Sequence, residues 1–491
     1  MNRLFALTVL LMPLTAWAQV EPLRPAPMDS STGFRLTVDA ATPPSPSLQY
    51  ELRPQLREYT PGNAALHYHR ASLMVAELPT KTGDKFRGNC RDWEAKPLDE
   101  ATCKAMREWL DEHQSIWLEL RTAAYRERCD FDHELRDLSG FDASNYALPE
   151  IQAMRELNRM LRIKARLEIR DGRFDAAIDS LRVGFRLARD ASTSPLVVSS
   201  LAGGACARTT VDSVSEWIAA PNSPNLYWAL ATLPRPYIDT AHGLLNERRF
   251  CEQFYPAMKD MGQASLSPQQ WENEFVDAVK KLMISSNGVT TLSEDETRWF
   301  ATGILLKTYP AAKQRLIEAG FDRQMIESLP PAQVVTMQTA RVTRHVCDEL
   351  LKWLALPTDQ ALIGLEKSQE KLRAEKLIGG DPTLYQGALP IVDMIMPPVY
   401  MVRYSLAQLD RKMAAHQLIE ALRWHAAVHG GKLPETLAEI QVAPTPSDPV
   451  TGKPFLYRLQ DNFAVIDMPP PHGKPGDDDS VRYEIAIRPK K

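Results

Sequence analysis

The sequence predicts a mostly α protein: an irregular stack of antiparallel helical hairpins with a small α+β module at its C-terminal end. Three observations lead there. Apolar residues recur at steps of three and four from about residue 61 to 374, the period of one helix face. Glycine, proline and Asp-Gly signals interrupt that pattern at helix-length intervals. Past residue 430 the pattern yields to tight-turn residues and a short alternating run, Asn462–Ile466.

The chain opens with Asn2-Arg3, an apolar run from Leu4 to Leu14, and Ala16-Trp17-Ala18. That order reads as a secretory signal peptide over 1–18, cleaved between Ala18 and Gln19. The run is too short for a spanning helix, which needs roughly 20 apolar residues. No later segment is long and apolar enough to span, so the mature chain is expected without a membrane span.

Residues 19–48 are rich in Pro, Ser and Thr and read as a disordered leader. The alternative there is a strand at Phe34–Val38, because FRLTV alternates. A helical-hairpin domain is expected over 49–378, its first helix opening near Pro61. Ile151, Met154, Leu157, Leu161 and Ala165 share one face of a helix that Asp171-Gly172 ends. Phe174, Ala177, Ile178 and Leu181 carry the next face. Ala165, Gly172, Phe174, Ala177, Leu181 and Gly184 resemble one tetratricopeptide repeat, and the resemblance implies a closely packed helical hairpin. Ser199-Ser200 with Gly203-Gly204 reads as a tight helix contact.

Further helices are expected over Leu196–Ala219, Pro236–Lys259, Pro268–Ile284, Ser293–Ala319, Pro331–Leu356 and Thr358–Ala374. Leu226, Tyr227, Trp228 and Leu230 stand between proline turns as an apolar plug, since interior prolines break a helix. Gly379-Gly380-Asp381-Pro382 marks a boundary. The segment 379–491 is expected to hold a long helix over about Pro398–His429, then the small module with a flexible acidic loop at 468–480.

In that module His429-Gly430-Gly431, Leu433-Pro434, Asp448-Pro449, Thr451-Gly452 and Gly476-Asp-Asp-Asp479 follow one another. The constellation resembles the globular part of type II secretion major pseudopilins. The resemblance implies a shared small fold and a Ca²⁺ site at Asp477, Asp478 and Asp479, a hard cation on oxygen ligands. The alternative is a solvated acidic loop, which the proline-rich run before it favours. No other cofactor is expected. Over its length the chain resembles a set of exported helical proteins common in planctomycete-type bacteria, which has no assigned activity and implies fold and export only. The Asp171–Phe174 hairpin, the Pro224–Pro236 element and the Leu433–Gly452 turns carry that resemblance.

Net charge is −4 with both signs interleaved, which leaves no basic face for nucleic acid. Six cysteines in an exported chain suggest disulfides, and Cys90 with Cys103 flank one short polar loop. Cys206 and Cys347 read instead as small buried hydrophobes on helices. His425 and His429 share a helix face, but no H-E-x-x-H motif surrounds them. No nucleophile elbow, phosphate loop or dinucleotide fingerprint occurs. The leading expectation is therefore a non-enzymatic binding or scaffold protein of the periplasm or cell envelope, with a protein, peptide or envelope component as partner. One alternative is a periplasmic enzyme using His67, His69, Cys129, Asp130, Asp132 and His133. Another is a calcium-dependent surface or assembly component.

Overall fold

The structure is a computed structural model that describes residues 33–78, 90, 92–94, 96–135, 148–259, 266–287, 293–379, 386–396, 398–469 and 480–489. The segment expected to be a signal peptide, the expected Ala18–Gln19 cleavage site and the expected Ca²⁺ ligands Asp477, Asp478 and Asp479 lie outside the described residues.

Strand β1 (Gly33–Val38) corrects the expectation of a leader disordered through residue 48. Its alternating FRLTV run lies parallel to the last strand of the chain, with Arg35 opposite Glu484. The partner is 449 residues away, so no local window shows that the run can be completed. Strand β2 (Thr60–Asn63) pairs with β3 (Arg126–Arg128), which puts Pro61 in a strand and not in a helical turn. Helix α1 (Ala64–Ala76) starts after it, where the Asn63 side chain accepts from the Ala65 amide and caps the helix. Helices α2 (Glu100–Glu112) and α3 (Gln114–Ala124) complete this N-terminal part.

Helices α4 (Pro149–Arg170), α5 (Phe174–Ala191) and α6 (Val197–Ala219) run back and forth against one another. The expected α4 stripe, Ile151 through Ala165, is buried. Gly172 takes φ +68° at the reversal, a conformation that a side chain disfavours. Helices α5 and α6 approach so closely that a Cβ on Gly203 would stand 2.5 Å from the Ala188 carbonyl oxygen. Helix α7 (Tyr227–Ala231) is the expected plug: Leu226, Tyr227 and Leu230 are buried, and the Tyr227 hydroxyl donates to the Pro444 carbonyl.

Helix α8 (Ala241–Phe254) starts later than Pro236, because the Tyr237 amide donates to Asp410 instead of entering a helical ladder. Helices α9 (Pro268–Asn287), α10 (Glu294–Glu318), α11 (Arg323–Ser328) and α12 (Pro331–Leu351) follow. With the end of α8 they build an apolar core of their own around Phe254, Trp271, Phe275 and Val334. Helix α13 (Thr358–Ala374) has the bounds read from the sequence.

After α14 (Ile391–Ile395), helix α15 (Val399–Val428) passes through the centre of the molecule, buried on nearly every side. Strands β4 (Leu456–Gln460), β5 (Phe463–Met468) and β6 (Val481–Ile487) complete a four-stranded sheet in the order β1-β6-β5-β4. The class is thus mostly α with a small α+β C-terminal module, as expected. Residue 379 does not separate two cores, because one apolar cluster joins α4–α6, α15 and the sheet. Buried charges pin this junction. Arg411 donates to Asp448 at 2.7 Å, and Arg423 donates to Glu420, to the Asp39 carbonyl and to the Ser223 carbonyl. Such ions are tolerated inside because each charge meets an opposite one, although Arg411 Nη1 is buried without a hydrogen bond among the described residues.

No disulfide forms among the six cysteines, so the expected Cys90–Cys103 bridge is absent. Cys103 faces the main core and packs as a small apolar side chain, as do Cys206 and Cys347 in theirs. No helix among the described residues is long and apolar enough to cross a membrane.

Candidate functional site

A cavity of about 360 Å³ opens where three pieces of chain meet. These are the segment after β3, the turn between α5 and α6, and the first half of α8. Cys129, Asp130, Phe131, His133 and Leu135 come from the first piece, and Thr193, Ser194 and Pro195 from the second. Helix α8 supplies His242, Asn246 and Arg249.

Local chemistry shapes the first wall. Asn63 holds residue 130 from both sides: its amide nitrogen donates to the Asp130 carbonyl at 2.7 Å, and its oxygen accepts from the Asp130 amide at 2.9 Å. The Asp130 carboxylate then accepts from the Asp132 amide at 2.9 Å, a side-chain turn that fits the left-handed φ of Asp132. Phe131 lies between the rings of His69 and His133. His133 Nε2 stands 3.2 Å from Glu150 at the start of α4, and both side chains are buried. At the second wall the Thr193 hydroxyl donates to the Asp190 carbonyl and finishes α5.

The third wall follows from helix geometry. Steps of four and three place His242, Asn246 and Arg249 on one face of α8. Among the described residues, none of these three side chains has a hydrogen bond or an ion pair. The other ionic groups of the wall are engaged: Asp130 with Arg128 at 3.4 Å, His133 with Glu150.

Behind the cavity lies a buried network. Arg186 donates to both carboxylate oxygens of Asp190 at 2.8 and 2.9 Å, and the Tyr68 hydroxyl donates to Asp190 at 2.9 Å. Burial holds the Asp190 carboxyl above its ordinary range. Burial, and after it the neighbouring Asp190, pushes the Cys129 thiol well above the usual thiol range. That thiol stays protonated at neutral pH, and the thiolate is the nucleophile, so Cys129 is a lining group and not an attacking one.

Of the six polar residues singled out from sequence, the fold brings Cys129, Asp130 and His133 to the cavity. His67 lies elsewhere with both ring nitrogens engaged, Nδ1 at 2.6 Å from Glu119 and Nε2 accepting from Arg126 at 3.1 Å. His69 and Asp132 do not line the cavity either. Thr193, Ser194, His242, Asn246, Arg249 and Glu150 went unnoticed. The i, i+4, i+7 spacing on α8 was the available signal, but a solvated helix face looks the same in sequence.

Two other histidine sites are structural. His425 and His429 stack at 4.0 Å between ring centroids, and His429 Nδ1 lies 2.8 Å from the His425 carbonyl, which fastens the end of α15. His416 is wholly buried, with Nδ1 at 2.7 Å from the Lys412 carbonyl and Nε2 at 2.6 Å from the Ser215 hydroxyl. The carbonyl requires a proton on Nδ1, so Nε2 accepts from Ser215 and joins α6 to α15. Among the described residues no group of three or more His, Cys, Asp or Glu is arranged to hold a metal ion. Comparison with protein-family models, curated proteins and solved structures finds no match to this chain.

Proposed function

We propose that this chain is an exported binding protein that takes a small anionic organic molecule, a carboxylate or a phosphate ester, in the cavity walled by α8. One observation carries the reading: Arg249, beside His242 and Asn246, faces the cavity with no protein partner for its charge among the described residues. A guanidinium presents planar donors that fit carboxylate and phosphate oxygens two at a time. The volume of about 360 Å³ suits a small molecule. Amide, hydroxyl and imidazole groups around it supply further polar contacts to orient such a ligand. Export rests on the N-terminal leader pattern.

Binding is favoured over covalent catalysis because the Cys129 thiol is held protonated and His67 has no nitrogen to offer. A second reading has its own observation. The buried His133 Nε2 lies 3.2 Å from Glu150 Oε1 without hydrogen-bond alignment, a pair that becomes an oriented general base once a ligand tightens it.

Calorimetric titration of the processed chain with inorganic phosphate, sugar phosphates, di- and tricarboxylates and their neutral counterparts tests the proposal. Anionic members should bind, and Arg249→Leu should weaken them by about tenfold or more, the value of one charged hydrogen-bonded contact. Equal binding of neutral counterparts, or unchanged binding by the variant, contradicts the reading. NMR of the recovered ligand separates the alternatives: an unchanged ligand supports binding, and a product that disappears with His133→Gln supports the second reading.

A further inference from the structure

Helix α10 carries an apolar stripe that nothing among the described residues covers. Trp299 is 79% exposed and Leu306 is 73% exposed. Between them Gly303 lies open, with no atom within 4 Å of where its Cβ would be, and Pro310 extends the line. Steps of four, three and four put Trp299, Gly303, Leu306 and Pro310 on one side of the helix. The opposite side packs inward through Ala301, Thr308, Ala312 and Leu316. A lone exposed leucine is ordinary, but an outward Trp, Gly, Leu and Pro in one row is not.

The row has a symmetry of its own. Positions 299 and 310, and positions 303 and 306, are equally spaced about the point between residues 304 and 305. We infer that this stripe is a homodimer interface, in which α10 meets α10 of a second copy in antiparallel fashion about a twofold axis at that point. Isologous contact requires such self-complementarity: what one copy offers at each position the other must receive. The Leu306 side chain enters the notch left by the missing side chain at Gly303 of the second copy. The Trp299 ring covers Pro310 of the second copy, and the reciprocal pair forms on the other side of the axis.

Charge agrees with the antiparallel sense and disfavours the parallel one. The first turn of α10 carries Glu294, Asp295 and Glu296, and its last turns carry Lys313 and Arg315. In the same register Glu296 comes opposite Lys313 of the second copy. Lys313 already lies 2.9 Å from Glu327 and Arg315 lies 3.0 Å from Glu318, so these end contacts set direction more than strength. A parallel pair would set the three acidic residues against their own copies. The helix is 25 residues, about 37 Å, long. One helix-on-helix contact of that length falls at the small end of stable interfaces, below about 1,200 Å². The dimer is therefore a weak one, with a dissociation constant of micromolar order.

Sedimentation velocity of the processed chain, over about 1 to 200 μM to bracket that range, reads the equilibrium. The wild type should pass from monomer to dimer with concentration. Leu306→Glu and Gly303→Leu should each shift the midpoint by about tenfold or more, as loss of a central contact does. Both positions are exposed, so Leu306→Glu should melt close to wild type and Gly303→Leu at or above it through helix propensity, which shows that the variants fold. A Gly303→Cys/Leu306→Cys double variant should cross-link as a covalent dimer under mild oxidation, since the two positions oppose each other. A wild type that stays monomeric throughout overturns the inference, as does a dimer indifferent to both single variants. Binding of the monomer to phosphatidylglycerol vesicles, abolished by Leu306→Glu, also overturns it and gives the stripe to a lipid surface.

Discussion

Lowering the pH from 7 to 5 should cost the wild-type chain about 2 kcal/mol more stability than it costs His416→Gln. His416 is fully buried between α6 and α15, and its imidazole is held neutral by a donating Ser215 hydroxyl on one side and an accepting carbonyl on the other. Burial, and after it the nearby Lys412, pushes its pKa down to about 4 from the ordinary 6.5. The unfolded chain therefore binds a proton near pH 6.5 that the folded chain refuses until pH 4. Stability from this site is complete above about pH 6.5 and is lost progressively as pH falls toward 4. With those two pKa values the loss between pH 7 and pH 5 is about 2 kcal/mol, approaching about 3 kcal/mol at pH 4. Glutamine is close to isosteric and can accept from Ser215 through its carbonyl, but it carries no proton equilibrium. Urea unfolding of both proteins at pH 7 and pH 5 gives the comparison. Equal pH dependence in the two would show that His416 is solvated or already charged in the folded state, and the account of the α6–α15 contact would fail.

Four further outcomes follow from other sites in the fold. Glu247 is pushed up to about 7 by burial, so the folded chain retains a proton that the unfolded chain releases, and stability falls as pH rises from about 4.5 to 7. Glu247→Gln should therefore be more stable than wild type above pH 7, by at most about 3 kcal/mol, with the difference vanishing near pH 4.5 in the same urea assay. Asp448→Asn leaves Arg411 buried without its counter-charge and should destabilise by about 3–5 kcal/mol by chemical denaturation; a loss near zero would mean Arg411 reaches water. Gly364→Ala sets a methyl 2.2 Å from the Trp353 ring, which is itself tied to Ser368, and should cost about 1–3 kcal/mol. Gly303→Ala, on the open side of α10, should instead raise the melting temperature through helix propensity worth about 1 kcal/mol.

Much of the helical body was legible because its determinants are local. The stripe from Ile151 to Ala165, the stop at Gly172 and the bounds of α13 all follow from residues a few positions apart. What was not legible depended on distant partners. Strand β1 needs β6 from the other end of the chain, and Pro61 sits in a strand only because Arg126–Arg128 arrives beside it. Cys90 and Cys103 looked like bridge partners by spacing, whereas Cys103 is taken up by the core. The cavity divides the same way. Cys129, Asp130 and His133 were visible as a polar run, but His242, Asn246 and Arg249 matter because α8 is brought to that run by the packing of the whole body. The α10 stripe was hidden too, since exposure and not residue type distinguishes Trp299 from the buried Trp271.

The most direct test of the binding account is a crystal structure of the chain soaked with whichever anion raises its melting temperature most. The ligand's acidic group should lie about 3 Å from the Arg249 guanidinium, inside the cavity between α8 and residues 129–135. Density for that ligand at another surface, with the cavity filled only by water, would contradict it.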